Sequence, residues 1–317
     1  MPWFDLPLEQ LREYRTATAE PDGLDQWWAR RLDEAEAAAR PPELTPYGDG
    51  AYAPAQVYDA EYSGAGGDRI RAWYIRPAQA SAGAPVVVTF IGYGGGRGLP
   101  AEHMLLPALG YAVFVMDTRG QGGRWTSGAT DPANSTVLTQ GITRPEDYYY
   151  TRLFTDAVRA VRTAAELGTG PVAVAGGSQG GGLALAASAL APELVTVCQA
   201  DVPFLCDIQR AITLTDATPY SEVPVFLAHN TALTGAALDT LRYVDCALLA
   251  RRITAQSLLS TGLMDMTCPP STVFAAYNEI TAGKDIVVHP FSGHAVPSSH
   301  TERRIRHLRE FLPLSPG

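Results

Sequence analysis

Residues 172–190, VAVAGGSQGGGLALAASAL, constrain the fold of this chain more than any other segment. A short apolar run typical of a buried strand precedes a serine flanked by glycines, and an Ala/Leu-rich helical pattern follows it. Glycine is expected around such a bend, because larger side chains would collide with the neighbouring backbone. The bend would expose the Ser178 hydroxyl, and the first helical amide, that of Gln179, would point to the same place. We therefore predict Ser178 as a nucleophile and the Gln179 N–H as an oxyanion donor.

Apolar segments of strand length alternate with helical patterns along most of the chain. The predicted strands lie at 84–92, 110–117, 171–176, 195–201, 253–262 and 285–291, and the predicted helices at 152–167, 179–191, 271–280 and 301–311. A helix-sized segment also separates the first two strands, and we expect a helix there. Such alternation predicts a mostly parallel central sheet with helices on both faces. A further alternating segment, 57–75, is interrupted by SGAGGD and predicts a hairpin at an antiparallel edge.

Two segments depart from this alternation. Residues 1 to about 50 combine helical patterns with proline-rich breaks and predict a helical N-terminal arm, in which Trp27 and Trp28 pack on a core. Residues 202 to about 252 are polar, proline-containing and helical in pattern, which predicts an insertion over the carboxyl edge of the sheet. Since this insertion is too short to bury a good core alone, we expect residues 1–317 to form a single domain.

Charge and cysteine usage exclude several classes of function. The net charge is −9 and the cationic residues are dispersed, so nucleic-acid binding is not expected. The four cysteines form no CxxC pair and are interpreted as buried thiols of a reducing compartment, which argues against a zinc or redox site. Neither a signal-peptide pattern nor a membrane-spanning segment is evident, and we expect a soluble, cytoplasmic protein.

A serine nucleophile needs a base, and the base needs an orienting acid. In this type of sheet the acid and then the histidine are expected downstream of the serine, each in a loop after a strand. Asp265 follows one predicted strand in SLLSTGLMDMTCPPS, and His294 follows another in DIVVHPFSGHAVPSSH. Both loops are expected at the carboxyl edge of the sheet, so Asp265 and His294 are the preferred acid and base.

Two alternatives remain open at this point. Asp201 also follows a strand, the one after the serine helix, and is the alternative acid. His300 lies close to His294 in the chain and is the alternative base. His289, inside a strand pattern, and His307, inside the last helix, are expected to have packing or surface roles.

Several further segments, taken together, are much more restrictive than the serine motif. They are FDLPLEQLREY, GYGGG, DTRGQG, GGSQGG, ADVPFLCDIQRAI, GLMDMTCPPSTVFAAYN and HPFSGH. Across nearly the whole chain, these segments resemble the acetyl xylan esterase and cephalosporin-C deacetylase family, carbohydrate esterase family 7 of the α/β-hydrolase fold. The resemblance implies the same roles for Ser178, Asp265 and His294, and it adds the backbone N–H of Tyr93 to that of Gln179 in an oxyanion hole.

The resemblance also implies a substrate class and an assembly. It implies hydrolysis of acetyl esters of small molecules, such as acetylated xylo-oligosaccharides and cephalosporin C, through an acetyl-enzyme intermediate and without a metal or organic cofactor. It implies a ring-like homohexamer whose active sites face an internal cavity, and it implies a structural role for the Arg119–Gly120–Gln121 triplet. One departure is that the family usually continues His-Glu after the glycine, whereas this chain has Ala295 after His294.

Two other classes of function remain open. The chain could be a different serine hydrolase of the same fold, such as a longer-chain esterase or a peptidase. It could also be a noncatalytic binding module, although Ser178, Asp265 and His294 are all present.

Overall fold

The computed structural model describes residues 3–79, 83–122, 136–168 and 170–314. Its strands are β1 Glu43–Pro46, β2 Ala55–Ser63, β3 Arg69–Pro77, β4 Val86–Phe90, β5 Ala112–Met116, β6 Val172–Gly177, β7 Val195–Asp201, β8 Gln256–Gly262 and β9 Lys284–His289. Its helices are α1 Leu8–Glu13, α2 Leu24–Ala37, α3 Leu105–Ala108, α4 Tyr149–Leu167, α5 Gln179–Leu190, α6 Ile208–Leu214, α7 Glu222–His229, α8 Thr234–Leu241, α9 Cys246–Leu249, α10 Pro270–Glu279 and α11 His300–Phe311.

These described strands form one nine-stranded sheet in the order β1-β2-β3-β5-β4-β6-β7-β8-β9. Strands β4 to β9 are parallel to their neighbours in that group, and β1, β2 and β3 join β5 through antiparallel pairs. The predicted mostly parallel sheet and the predicted hairpin are therefore confirmed. The carboxyl ends of β4, β6, β7, β8 and β9 meet at one edge of the sheet, where ligand sites in such folds assemble.

Helices cover both faces of the sheet because its parallel strands are apolar on both sides. Val88 of β4 points into the large core that contains Leu153 of α4 and Leu183 of α5. Its neighbour Val87 points to the other face, where it packs in a cluster with Leu308 of α11. Continuous apolar strands of this kind are stable only when both faces are buried, as the sequence analysis assumed.

The N-terminal arm and the segment 202–252 pack against each other as well as on the core. Trp27 and Trp28 of α2 are buried, as predicted, and the Trp28 indole donates to the Tyr243 carbonyl oxygen at 2.9 Å. The Asp5 carboxylate accepts from the Ser271 amide at 2.7 Å and from Arg210 at 2.9 Å, which ties the arm to α10 and α6. The segment 202–252 carries α6 to α9, in agreement with its predicted helical character.

The structure adds one element to the expected fold and corrects another. The edge strand is β1, which pairs with β2 so that the hairpin is not the outermost element. The arm therefore contributes a strand as well as helices. The segment between β4 and β5 holds only a 3₁₀ turn, Pro100–His103, and the one-turn helix α3 where a full helix was expected. Proline at 100 and 107 and glycine at 98 and 110 shorten the helical stretch available there.

Two further features of the described residues concern the cysteines and the apolar helices. All four cysteines lie in the described part of the chain, where they are buried and unpaired, as predicted. Among the described residues, the longest apolar helices fall short of what crossing a bilayer requires.

Candidate active site

Ser178 sits in a strained bend between β6 and α5. Its φ of 56° and ψ of −122° lie outside the regions that L-residues prefer. A Cβ on Gly176 would overlap the backbone of Gly180, and a Cβ on Gly180 would overlap the carbonyl of Phe90 at the end of β4. Gly177 is different, because a Cβ there would lie 3.9 Å from the nearest atom. The close approach of backbone segments thus explains the glycines two residues before and after Ser178.

The structure brings the predicted nucleophile, acid and base into one hydrogen-bonded chain. His294 Nε2 lies 2.9 Å from Ser178 Oγ, and His294 Nδ1 lies 2.9 Å from Asp265 Oδ2. The loops that carry Asp265 and His294 follow β8 and β9 and are joined by a main-chain hydrogen bond from Met264 N to Ser292 O at 3.0 Å. Adjacent parallel strands place these loops side by side although they are distant in sequence.

The Asp265 carboxylate is held in one orientation. It is fully buried, and Oδ1 accepts from the backbone amides of Thr267 at 2.8 Å and Cys268 at 2.9 Å. Oδ2 is the oxygen that bonds to His294 Nδ1. Because an ionised carboxylate only accepts hydrogen bonds, His294 Nδ1 must carry a proton, which makes Nε2 the acceptor of the Ser178 hydroxyl.

Cys268 lies near Ser178, but its thiol is a poor competitor for the predicted role of nucleophile. Burial, followed by the charge of Asp265, raises the pKa of the Cys268 thiol well above its ordinary value. A thiol that stays protonated is a poor nucleophile. Ser178 is therefore the group that the histidine can activate.

The two predicted oxyanion donors lie on adjoining elements. Gln179 is the first residue of α5, so its amide has no intrahelical acceptor. Tyr93 follows β4, whose last residue, Phe90, touches Gly180 closely enough to exclude any side chain there. The backbones that carry both amides therefore pack against each other. Their role as oxyanion donors stays a prediction.

Gln121 connects these two backbone segments, and its partners specify the structural role that the resemblance implied for the Arg119–Gly120–Gln121 triplet. Its Oε1 accepts from the Gly94 amide at 2.6 Å, and its Nε2 donates to the Gln179 side-chain oxygen at 2.9 Å. Gln121 Nε2 also lies 2.8 Å from the Tyr149 hydroxyl, and the Tyr150 hydroxyl donates to Gln179 Oε1 at 2.9 Å. The DTRGQG segment was the available signal, but only the folded chain places Gln121 beside Gly94.

The remainder of DTRGQG has a structural role, in agreement with what the resemblance implied. The guanidinium of Arg119 is fully buried and donates to both oxygens of the buried Asp156, at 2.5 and 2.7 Å. Gly122 has a φ of 54°, and a Cβ there would overlap the backbone of residues 94–96. The turn after β5 thus supports the glycine-rich loop that begins at Tyr93.

The side chains of the alternative acid and the alternative base bond to each other and not to the Ser178 hydroxyl. His300 Nε2 lies 2.8 Å from Asp201 Oδ1, which also accepts from the Ser260 hydroxyl at 2.8 Å. Burial acts to raise the pKa of Asp201, but the His300 hydrogen bond and the charge of Arg304 lower it below its ordinary value. Both side chains are buried, and the Asp201 carbonyl oxygen accepts from the Ser178 amide at 2.9 Å. The pair therefore helps to hold the bend at Ser178 in place.

The remaining histidines and the departure from the family pattern have simple structural descriptions. His307 lies in α11 with Nδ1 3.3 Å from Gln199 Nε2, and His289 ends β9, in agreement with the packing roles expected for them. Ala295 is exposed and bonds only through its amide, to the Gly293 carbonyl oxygen at 2.8 Å. Among the described residues, no cluster of three or more His, Cys, Asp or Glu side chains could hold a metal ion.

Comparison with known proteins gives one consistent family. The family model for acetyl xylan esterase (AXE1) matches residues 1–311. The acetyl esterase Axe7A of Xylanibacter ruminicola is 34% identical over 160 residues, which cover 50% of this chain and 35% of that protein. The matched region thus spans about a third of the length of this curated relative.

Solved structures extend the likeness to the whole fold. The acetyl xylan esterase from Paenibacillus sp. R4 has a TM-score of 0.91 at 32% identity and covers 97% of this chain and 100% of its own. Acetyl xylan esterase 1 from Thermoanaerobacterium sp. JW/SL YS485 has a TM-score of 0.89 at 32% identity, with 98% and 100% covered. An acylaminoacyl peptidase from Pyrococcus horikoshii, at 15% identity and a TM-score of 0.60, shares the fold alone. The chain belongs to the acetyl xylan esterase family of α/β-hydrolases and is a carboxylic ester hydrolase.

Proposed function

We propose that this protein is a serine esterase that removes acetyl groups from small acetylated alcohols through an acetyl-enzyme intermediate. Ser178 is the nucleophile, His294 the general base and then the general acid, and Asp265 the group that orients the imidazole. The observation that carries the proposal is the hydrogen-bonded chain from Ser178 Oγ through His294 to the buried Asp265 carboxylate, with 2.9 Å at both steps.

The first half of the reaction forms the acetyl-enzyme. Ser178 Oγ attacks the acetyl carbonyl carbon while His294 Nε2 takes the hydroxyl proton, and the carbonyl oxygen becomes an oxyanion. Asp265 stabilises the imidazolium that forms, and its two backbone hydrogen bonds keep the carboxylate aimed at Nδ1. The C–O bond to the alcohol then breaks as His294 returns its proton to the departing oxygen.

The second half regenerates the enzyme. His294 removes a proton from water, which attacks the acetyl carbonyl, and acetate leaves as Ser178 Oγ regains a proton. The backbone amides of Tyr93 and Gln179 stabilise the oxyanion in both halves. Gln121 bonds to the Gly94 amide and to the Gln179 side chain, so it restricts movement of the backbone that carries these donors. Donors fixed in advance cost no reorganisation in the transition state.

The substrates proposed are acetylated xylo-oligosaccharides and cephalosporin C, both acetyl esters of small alcohols. The names of the two solved relatives, both acetyl xylan esterases, support the acetylated xylo-oligosaccharides, and cephalosporin C follows from the family resemblance. A longer-chain esterase or a peptidase of the same fold would use the same triad with a different acyl preference. The test is therefore a series of p-nitrophenyl acetate, butyrate and octanoate together with a peptide amide.

The experiment compares wild type with Ser178→Ala on this series and on acetylated xylo-oligosaccharides. We expect acetate to be the best acyl group, activity to fall steeply with chain length, and no amide cleavage. Ser178→Ala is expected to lower kcat by on the order of 10⁶-fold, as for removal of a triad nucleophile. Preference for octanoate, or most of the activity surviving in Ser178→Ala, would contradict the proposal.

Assembly and location are the remaining parts of the proposal. A ring-like homohexamer follows from the family resemblance, and sedimentation at micromolar protein tests it, with a monomer as the contradicting result. A cytoplasmic location is supported by the four unpaired, buried cysteines, since such thiols are typical of reducing compartments. Fractionation of cells that express the native gene checks it.

A further inference from the structure

A cavity of about 360 Å³ lies between the 3₁₀ turn Val137–Thr139 and α7. The α7 side of this cavity is formed by Glu222, Val225, Phe226 and His229. These positions have the spacing i, i+3, i+4 and i+7, so a single face of the helix lines the cavity. Val225 is 61% exposed, which is high for an aliphatic side chain on a helix of a globular protein.

One tyrosine side chain connects this cavity to the reacting centre. The Tyr93 hydroxyl donates to Glu222 Oε1 at 2.8 Å and lies 3.0 Å from Oε2, while the Tyr93 amide is a proposed oxyanion donor. The Tyr93 ring packs edge-on against Phe204 at 6.3 Å between centroids, which holds it in place. The carboxylate of Glu222 therefore lines the cavity one tyrosine side chain away from the amide that is a proposed oxyanion donor.

The chemistry of the cavity wall fits a polyhydroxylated ligand. Glu222 is half-buried, and burial raises the pKa of its carboxyl above the ordinary value. A partly desolvated carboxylate is a strong acceptor for hydroxyl groups. Val225 and Phe226 provide apolar surface on which the C–H face of a sugar ring can pack, and His229 adds a polar side chain to the lining.

We propose that this cavity is the subsite for the alcohol half of the substrate, with Glu222 accepting a hydrogen bond from a sugar hydroxyl. The inference rests on the proposed function and names the site that would select the alcohol. An ester whose alcohol has no hydroxyl groups and is small, such as p-nitrophenyl acetate, makes little use of the cavity. Variants that change the cavity therefore alter the preference between two acetyl esters.

The test measures kcat/KM on acetylated xylotriose and on p-nitrophenyl acetate, and takes the ratio of the two. Val225→Trp fills the cavity from an exposed position, and the ratio is expected to fall by roughly tenfold or more as the oligosaccharide loses its packing and hydrogen bond. Ala228→Trp is the matched control, because Ala228 is exposed on the same helix outside the cavity lining. Its ratio is expected to equal that of wild type.

Glu222→Gln provides the second variant, since the amide oxygen can still accept from the Tyr93 hydroxyl while the charge is lost. It is expected to lower the ratio, mainly through KM for the oligosaccharide. An unchanged ratio in both Val225→Trp and Glu222→Gln, or an equal loss on both esters, would overturn the subsite while leaving the esterase intact. Failure of the wild type to hydrolyse either ester would instead overturn the proposed function, and the subsite with it.

Discussion

Asp265→Asn is the substitution for which the structure makes the sharpest kinetic prediction. In the native site, Oδ1 of Asp265 accepts two backbone N–H groups, and Oδ2 accepts from His294 Nδ1 at 2.9 Å. The amide oxygen of an asparagine would take the Oδ1 position, because only oxygen can accept from those two amides. The NH₂ group would then face His294 Nδ1 and force that nitrogen to be an acceptor.

The consequence is the wrong tautomer of the base. With Nδ1 unprotonated, Nε2 carries the proton and points it at Ser178 Oγ, 2.9 Å away, where it cannot take a proton from the hydroxyl. A triad whose acid is replaced in this way loses about 10⁴-fold in kcat, or about 5 kcal/mol of transition-state stabilisation. KM for p-nitrophenyl acetate is expected to change little, since substrate contacts are unaltered.

Steady-state kinetics on p-nitrophenyl acetate, with thermal melting to verify the fold, measures this effect. Asp201→Asn is the matched control, because Asp201 ends β7 at the same edge of the sheet but its side chain bonds to His300 and Ser260. It is expected to lower Tm and to reduce kcat by less than about tenfold, since no triad contact is lost. The reasoning would be refuted if Asp265→Asn kept kcat within tenfold of wild type, or if Asp201→Asn lost more activity than Asp265→Asn.

Three further predictions test the support of the site. Gln121→Leu removes the acceptor of the Gly94 amide and should lower kcat by roughly 10- to 100-fold, with little change in KM for p-nitrophenyl acetate. A rise in KM alone would contradict a positioning role for Gln121. Gly180→Ala should lower the free energy of unfolding, measured in urea, by about 2 kcal/mol or more because the added Cβ overlaps a backbone carbonyl. Gly177→Ala has space for a methyl group and should cost less than about 1 kcal/mol, so equal costs would refute the packing argument. Burial lowers the pKa of His307 to about 4, below the ordinary 6.5, so the stability gained from the neutral side chain is complete above about pH 6.5 and is lost as pH falls toward 4. Between pH 7 and pH 4.5, the free energy of unfolding of His307→Gln should therefore fall by up to about 2 kcal/mol less than that of wild type. The same pH dependence in both proteins would contradict this assignment.

The positions predicted for the nucleophile, the acid and the base each depend on a local pattern, and their catalytic roles stay a prediction. A glycine-flanked serine between a strand and a helix specifies a bend, and parallel strands bring the loops after β8 and β9 to the same edge as that bend. The choice of His294 over His300 and of Asp265 over Asp201 rested on loop position alone. In the structure the side chains of the two alternatives bond to each other, with His300 Nε2 2.8 Å from Asp201 Oδ1.

The features that the sequence left unspecified depend on contacts between distant segments. Strand β1 is four exposed residues, ELTP, with a proline that only an edge strand tolerates, so no alternation of burial marks it in the sequence. Gln121 and Glu222 are single polar residues whose significance comes from Gly94 and Tyr93, which reach them only after the sheet has formed. Periodicity and spacing carry no information about such partners.

The most direct test of the central claim is to identify the residue that reacts with a fluorophosphonate probe. Peptide mass spectrometry of the labelled wild type is expected to find one adduct per chain, on the peptide that contains Ser178, and labelling of His294→Ala is expected to be slower by orders of magnitude. Labelling at a different serine, or an unlabelled protein that still hydrolyses p-nitrophenyl acetate, would contradict the claim that Ser178 is the nucleophile.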